Sequence, residues 1–171
     1  SRMLSNLRLN NILTNNCLFS AASSVNGLKF FNIKNKDKFF HSSSGKLVSD
    51  KDSSLKVPTL KIDSLSFKSE IKAIKIDTEG HEYEVLLGAI NILKKDKPLL
   101  IIEKNEENLI QIINLLKDID YNCYLIDDNN QKIQNLNLSN ENYLDQSYKN
   151  IVCIFKNNLK IYNFLVNKYI S

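Results

Sequence analysis

The densest group of side chains able to do chemistry lies between Ile74 and Glu84, in the run Ile74-Lys75-Ile76-Asp77-Thr78-Glu79-Gly80-His81-Glu82-Tyr83-Glu84. Asp77 closes an apolar, strand-like segment, and a helical pattern begins just after Gly80. If the chain stays extended through Glu79, Asp77 and Glu79 project to the same side. Two carboxylates in one small site push one pKa upward, which makes a better proton acceptor near neutral pH. The same pair offers oxygen ligands to a divalent cation. Plainer readings stand beside these. Glu82 and Glu84 fall in the first turn of a helix, where the dipole favours negative charge. Asp77 or Thr78 suits a helix cap. His81, beside the helix start, reads first as a packed or solvated histidine and second as a base or ligand. The zinc-protease spacing HExxH is absent, because residue 85 is Val. A calcium loop fails as well: it needs glycine at its sixth position, and Gly80 is the fourth residue from Asp77.

The surrounding elements must hold these groups in place. Lys72 to Asp77 reads as a strand. From Glu82 to Lys94, Val85, Leu86, Ala89, Ile90 and Leu93 recur as one apolar face of a helix. Pro98 to Glu103 is a nearly continuous apolar run, the mark of a strand buried on both faces, and it ends on Glu103. Asn108 to Ile119 repeats the helical pattern. Tyr121 to Ile126 and Asn150 to Phe155 read as strands, an Asp/Asn-rich loop runs to Asp145 between them, and Leu159 to Ile170 reads as a last helix. Upstream, Met3, Leu4, Leu7 and Leu9 suggest a short helix. Cys17 to Ala22 reads as a strand ending in small residues, and Leu28 to Ile33 as a half-buried strand. His41 to Ser54, rich in Ser, Asp, Lys and Gly, predicts a flexible surface loop. Pro58, in the ordered segment that follows, suits an edge strand. Strands alternating with helices give an α/β class with a mostly parallel sheet. Ligands of such sheets bind beyond the carboxyl ends of the strands. The residues to watch are therefore Ala21 and Ala22, Asp77 to His81, and Glu103.

At 171 residues the chain is sized for one domain. Its 43% hydrophobic and 25% charged residues, with only 4 Gly and 2 Pro, exclude a disordered or linker-like chain. The net charge of +4 is too mild, and too scattered, to indicate nucleic acid. Cys17, Cys123 and Cys153 have neither CxxC nor zinc spacing and read as free thiols of a reducing compartment. No apolar run approaches the ~20 residues of a membrane span, and no secretory signal opens the chain. A cytoplasmic protein is the expectation.

Three segments then carry a resemblance. Val57-Pro58-Thr59-Leu60-Lys61-Ile62-Asp63-Ser64-Leu65, the stretch Ile74 to Ala89, and Lys97-Pro98-Leu99-Leu100-Ile101-Ile102-Glu103 follow, in order, the patterns V-x-T-x-x-x-D-x-L, I-K-I-D-x-E-G-x-E and K-P-x-L-x-x-E. The chain resembles the FkbM-type methyltransferases. That resemblance implies a Rossmann-like class I methyltransferase fold with strand order 3-2-1-4-5-7-6, and S-adenosylmethionine as cofactor. It also implies methyl transfer to a hydroxyl oxygen of a sugar, glycan or secondary metabolite. On it, Glu79 is the expected base or metal ligand, and Asp77 orients substrate or the same divalent metal. Glu82 supports them, His81 is a second acceptor, and Glu103 faces the substrate. Ala21 and Ala22 lie where the cofactor is expected.

The family's Gly-rich cofactor turn and the acidic residue closing its second strand have no counterpart after Ser1, since no two glycines have GxG spacing. The expectation is a single, partial methyltransferase domain over residues 1–171 that lacks the first two strands. The third strand would then lie without a neighbour, residues 1–54 would be displaced, loosely attached or paired only within their own hairpin, and the fourth strand would form an edge. Two other readings compete with a complete enzyme. One is an incomplete or decayed domain that acts as a binding module. The other, weaker, is a sugar-nucleotide enzyme, for which Asp77-Thr78-Glu79 is only a loose relative of a DxD site.

Overall fold

The computed structural model describes residues 2–11, 17–33, 45–48, 55–127, 132–139, 142–145, 147–158, 160, 161, 163 and 164. Two sheets divide the elements. The first holds β1 (Ala21–Ala22), β2 (Gly27–Ile33), β3 (Gly45–Val48) and β4 (Leu55–Leu60) in the order β1-β4-β2-β3. The second holds β5 (Ala73–Ile76), β6 (Leu99–Glu103), β7 (Tyr121–Asp127), β8 (Lys132–Asn135) and β9 (Asn150–Phe155) in the order β5-β6-β9-β7-β8. Helix α1 is Arg2–Leu9, α2 is Glu82–Leu87, α3 is Ile90–Asp96 and α4 is Leu109–Asp118. None of the helices described is long and apolar enough to cross a membrane.

The second sheet reproduces the 4-5-7-6 half of the expected order: β5, β6, β9 and β7 stand for those four strands in turn. The mostly parallel sheet, however, is not what forms. Only β1 with β4 and β5 with β6 pair in parallel; the other paired strands in both sheets are antiparallel. The short β7–β8 connection, residues 128–131, makes that pair antiparallel. A parallel pair needs a crossover of a dozen or more residues, which α2 and α3 supply between β5 and β6. β9 instead enters between β6 and β7 in the opposite direction, and β8 folds straight back on β7.

Other expectations shift in detail. The 82–94 helix is broken into α2 and α3 at Gly88 and Ala89. Within the expected 41–54 loop, Gly45–Val48 is a strand on β2, and the rest lies outside the described residues. The Asp/Asn-rich segment contains β8. The last helix over Leu159 to Ile170 is described only at residues 160, 161, 163 and 164, which are helical.

β1 is not left without a neighbour. Ala21 and Ala22 pair with Thr59 and Leu60, and the Ser23 N–H donates to the Leu60 carbonyl at 2.9 Å. That bond places the N–H and C=O of every even residue of β4 on the β1 side. Pro58 therefore fails to donate where Phe19 would accept, so the strand stops at Ala21 rather than reaching back to Cys17. The expected edge does form: β5 ends the second sheet, with Lys75 exposed on it.

The core lies between the second sheet and α2, α3 and α4. Leu86, Leu93, Ile112 and Leu116 of the helices are fully buried against Leu100, Ile102, Leu125 and Ile151 of the strands. Each such side chain contributes roughly 1.5–3 kcal/mol. β6 alternates: Leu100 and Ile102 face this core, whereas Leu99 and Ile101 pack on a smaller cluster with Tyr124, Val152 and Ile154 on the other face.

The two sheets are tied at one place. A Cβ on Gly88 would lie 2.0 Å from the Ser23 carbonyl oxygen, so the turn after β1 rests directly on the end of α2. The φ of −74° at Gly88 suits any residue; the glycine is there for space. Its own carbonyl accepts from the Asp63 N–H at 2.8 Å, and the Asp63 carboxylate caps α3 through the N–H groups of Asn91 and Ile92, both at 3.0 Å. Gly88→Ala should therefore cost about 3 kcal/mol, because backbone rather than a yielding side chain must move. Urea denaturation measures it; a loss below ~0.5 kcal/mol would show that the two sheets are not locked at this point.

Candidate functional site

The loop between β5 and α2 is built around one buried carboxylate. Glu82, the first residue of α2, has 0% exposure. Its Oε1 accepts from the Thr78 N–H, the Thr78 hydroxyl and the Gly80 N–H, each at 3.0 Å, and its Oε2 accepts from Asn108 Nδ2 at 3.0 Å. Burial pushes the Glu82 pKa up. The hydrogen bonds from Asn108, its own backbone, Gly80 and Thr78 outweigh that and hold it below the usual glutamate range. Asn108 also donates to the Gly80 carbonyl at 3.2 Å, so the start of α4 grips the same loop.

The wrap around Glu82 bends the chain. Glu79 takes φ 55° and Gly80 φ 97°. For a non-glycine residue such a left-handed turn costs roughly 1–2 kcal/mol. The chain is therefore not extended through Glu79, contrary to the alternation expected from sequence. Asp77 and Glu79 nevertheless meet. Asp77 follows β5 and Glu103 ends β6, and the parallel register Ile76↔Ile102 sets these two side by side. One carboxylate oxygen from each of Asp77, Glu79 and Glu103 lies within 4.8 Å of the others. The turn at Glu79 leaves its carboxylate beside those of Asp77 and Glu103.

The three carboxyls are electrostatically unequal. Lys75 Nζ contacts Asp77 Oδ2 at 2.5 Å and, with a smaller contribution from Glu103, holds Asp77 below the usual aspartate range despite slight burial. Glu103 is raised, first by burial and then by Asp77, Glu79 and Glu82 around it. It also hydrogen-bonds Asp77, so in this pair Glu103 is the partner that takes up a proton first.

His81 lies on the other side of the loop. It precedes α2, is half-buried, and its Nε2 is 3.0 Å from the Ser23 hydroxyl. Burial, together with Lys29, lowers its pKa against the pull of Glu84 and Glu82. Glu84 accepts from the Ser24 hydroxyl. His81 and Glu84 thus bind the turn after β1, and Glu82 holds the loop; the open carboxylates are Asp77, Glu79 and Glu103. Of the two alanines expected near a cofactor, Ala22 packs against the main core. Ala21 lines an apolar groove of about 350 Å³ with Leu18, Phe19, Phe31, Val57 and Pro58. Sequence reasoning missed Asn108 and Asp63. An Asn before a helix signals a cap, but Asn108 makes no side-chain cap bond and spends its amide on the loop.

Glu82→Ala should destabilise the chain by about 3 kcal/mol, since it strands several buried donors. The wild-type bond also has a pH signature. With the folded pKa of Glu82 below its unfolded value, its contribution is complete above the ordinary glutamate range and is lost as pH falls through the lowered folded value. Urea midpoints from pH 7 to pH 3 should fall more steeply for wild type than for Glu82→Gln; parallel slopes would refute a charged Glu82.

A family model described as the Methyltransferase FkbM domain matches residues 3–123. The matched span contains all three motif segments and every residue of the carboxylate cluster. No curated protein and no solved structure matches. The family match covers well over half of the chain, and the same motif residues build the strand-end loop described above: the chain belongs to the FkbM methyltransferase domain family.

Proposed function

We propose that this chain carries out S-adenosylmethionine-dependent O-methylation of a hydroxyl on a sugar, glycan or secondary metabolite, at the site formed by Asp77, Glu79 and Glu103. The observation that carries the reading is the convergence of three carboxylates at the ends of adjacent parallel strands, where ligands of α/β sheets bind. S-adenosylmethionine, when bound, supplies an electrophilic methyl group. The carboxyl end of β1 is the place assigned to it, where Ala21 and Ala22 add little side-chain bulk.

The residues of the site do the rest. An alcohol is a weak nucleophile until its proton is taken. Glu103, raised by burial and by its acidic neighbours, is the best placed acceptor for that proton. Asp77, kept charged by Lys75, orients the hydroxyl, and Glu79 closes the third side. The donor set also fits a divalent cation. It is all oxygen, and the three oxygens lie within 4.8 Å of one another, close enough for one ion to touch all three. Asp77, Glu79 and Glu103 would hold it, and it would lower the pKa of a bound hydroxyl.

The test uses the full chain with S-adenosylmethionine and a panel of monosaccharides, oligosaccharides and simple secondary-metabolite alcohols, following release of S-adenosylhomocysteine. Methylated acceptor is the expected product. Glu103→Gln and Glu79→Gln should each cut turnover by roughly 10²-fold. The acid limb of the wild-type rate should lie above the ordinary glutamate range, because the base works only when deprotonated and its pKa is raised. Unchanged turnover in both variants would remove the cluster from the reaction.

A further inference from the structure

Cys123 and Cys153 face each other across the second sheet. They are directly opposed residues in the antiparallel register of β7 and β9. The ladder also fixes which kind of pair they form. The Lys156 N–H donates to the Asp120 carbonyl at 2.8 Å, and this pair is three residues away in the same register. Hydrogen-bonded and non-hydrogen-bonded pairs alternate along an antiparallel ladder. Asn122 with Ile154 is therefore hydrogen-bonded, and Cys123 with Cys153 is not. Two further bonds agree. The Leu136 N–H donates to the Cys123 carbonyl at 3.2 Å, which turns the backbone polar groups of Cys123 toward β8. The Lys104 N–H donates to the Lys149 carbonyl at 2.8 Å, which by the same alternation turns those of Cys153 toward β6.

In a non-hydrogen-bonded pair the Cα atoms approach to about 4.5 Å and the side chains are closest. That is inside the range of about 4.4–6.8 Å that a disulfide spans. Both thiols are free, they hydrogen-bond each other, and both belong to the face that packs on the main core. Their accessibility differs: Cys153 is buried, whereas Cys123 is half-buried and open to a small oxidant.

We propose that Cys123 and Cys153 are a redox modification site, which hydrogen peroxide converts to a cross-strand disulfide between β7 and β9. The Cys123 thiolate attacks one peroxide oxygen. The O–O bond breaks, leaving Cys123 as a sulfenic acid, and the departing hydroxide becomes water with the thiol proton. The Cys153 sulfur then attacks the Cys123 sulfur. The S–S bond forms, the S–O bond breaks, and hydroxide leaves with the Cys153 proton as a second water. Two electrons pass from the two thiols to one peroxide. A thiol reductant reverses the link by exchange.

The test treats the folded, full chain with hydrogen peroxide, removes the oxidant, alkylates under denaturing conditions and digests with trypsin. The expected product is one linked species joining the peptide Asp118–Lys132 to the peptide Asn150–Lys156. It should be lighter than the sum of the two reduced peptides by two hydrogens and abolished by dithiothreitol. Cys123→Ala should lose it and leave Cys153 fully alkylated. Three results would overturn the proposal. One is that both thiols remain alkylated at a dose that oxidises free cysteine. Another is that Cys123 gains two or three oxygens while Cys153 stays a thiol. The last is that Cys123 links to Cys17 or to another chain instead.

Discussion

A charge buried without compensation would cost several kcal/mol, and Glu82 is a buried charge at the junction on which the rest of the site depends. Four hydrogen bonds from other residues reach it, given by Thr78, Gly80 and Asn108. Those donors can converge only if residues 78 to 81 curl back toward α2, and the left-handed turn at Glu79 and Gly80 is that curl. The loop shape is thus the form that the satisfaction of Glu82 imposes. The convergence of Glu79 with Asp77 and Glu103 follows from it. Asn108 extends the constraint to α4, so the acidic cluster rests on two strands and two helices.

Much of this was legible in the residues. The strands at Pro98 to Glu103 and Asn150 to Phe155 were readable from continuous apolar runs, and those at Lys72 to Asp77 and Tyr121 to Ile126 from short apolar segments. The 4-5-7-6 order came with the resemblance. What escaped were features set by single backbone groups. Pro58 stops β1 by lacking one N–H, and Gly88 breaks a continuous apolar helix pattern because a neighbouring carbonyl occupies the space of its side chain. At the site, the grouping of Asp77 with Glu79 was anticipated by alternation, yet it is achieved by a turn. Alternation describes an extended chain and has no means of anticipating an internal carboxylate that bends it. Glu103 was flagged as a strand end and, through the resemblance, as a substrate-side residue. Its contact with Asp77 needs the parallel register of β5 and β6, a long-range fact.

The motif residues divide by task once they are seen in place. Asp63 and Gly88 do no chemistry at the carboxylate cluster. Asp63 caps α3 while its own N–H is held by Gly88, and Gly88 lets the turn after β1 lie against α2. His81 and Glu84 add hydroxyl contacts to Ser23 and Ser24 at the same seam. A short strand of two residues cannot hold its place by its own ladder; this seam does so. It fixes the carboxyl end of β1, the place proposed for the cofactor, relative to the loop that carries Asp77 and Glu79.

The asymmetry of the three open carboxyls has a simple origin. Asp77 has a cation at contact distance, and Lys75 reaches it because residues two apart on an edge strand share a face. Glu103 is inset on the neighbouring strand, where it feels the desolvation and the negative charge of Asp77, Glu79 and Glu82 without a compensating lysine of its own. Protons shared by such a pair belong to the pair as a whole, and its first proton settles mainly on the member with the higher pKa. Lys75 therefore keeps Asp77 charged, while burial and three acidic neighbours make Glu103 the member of the pair that protonates first.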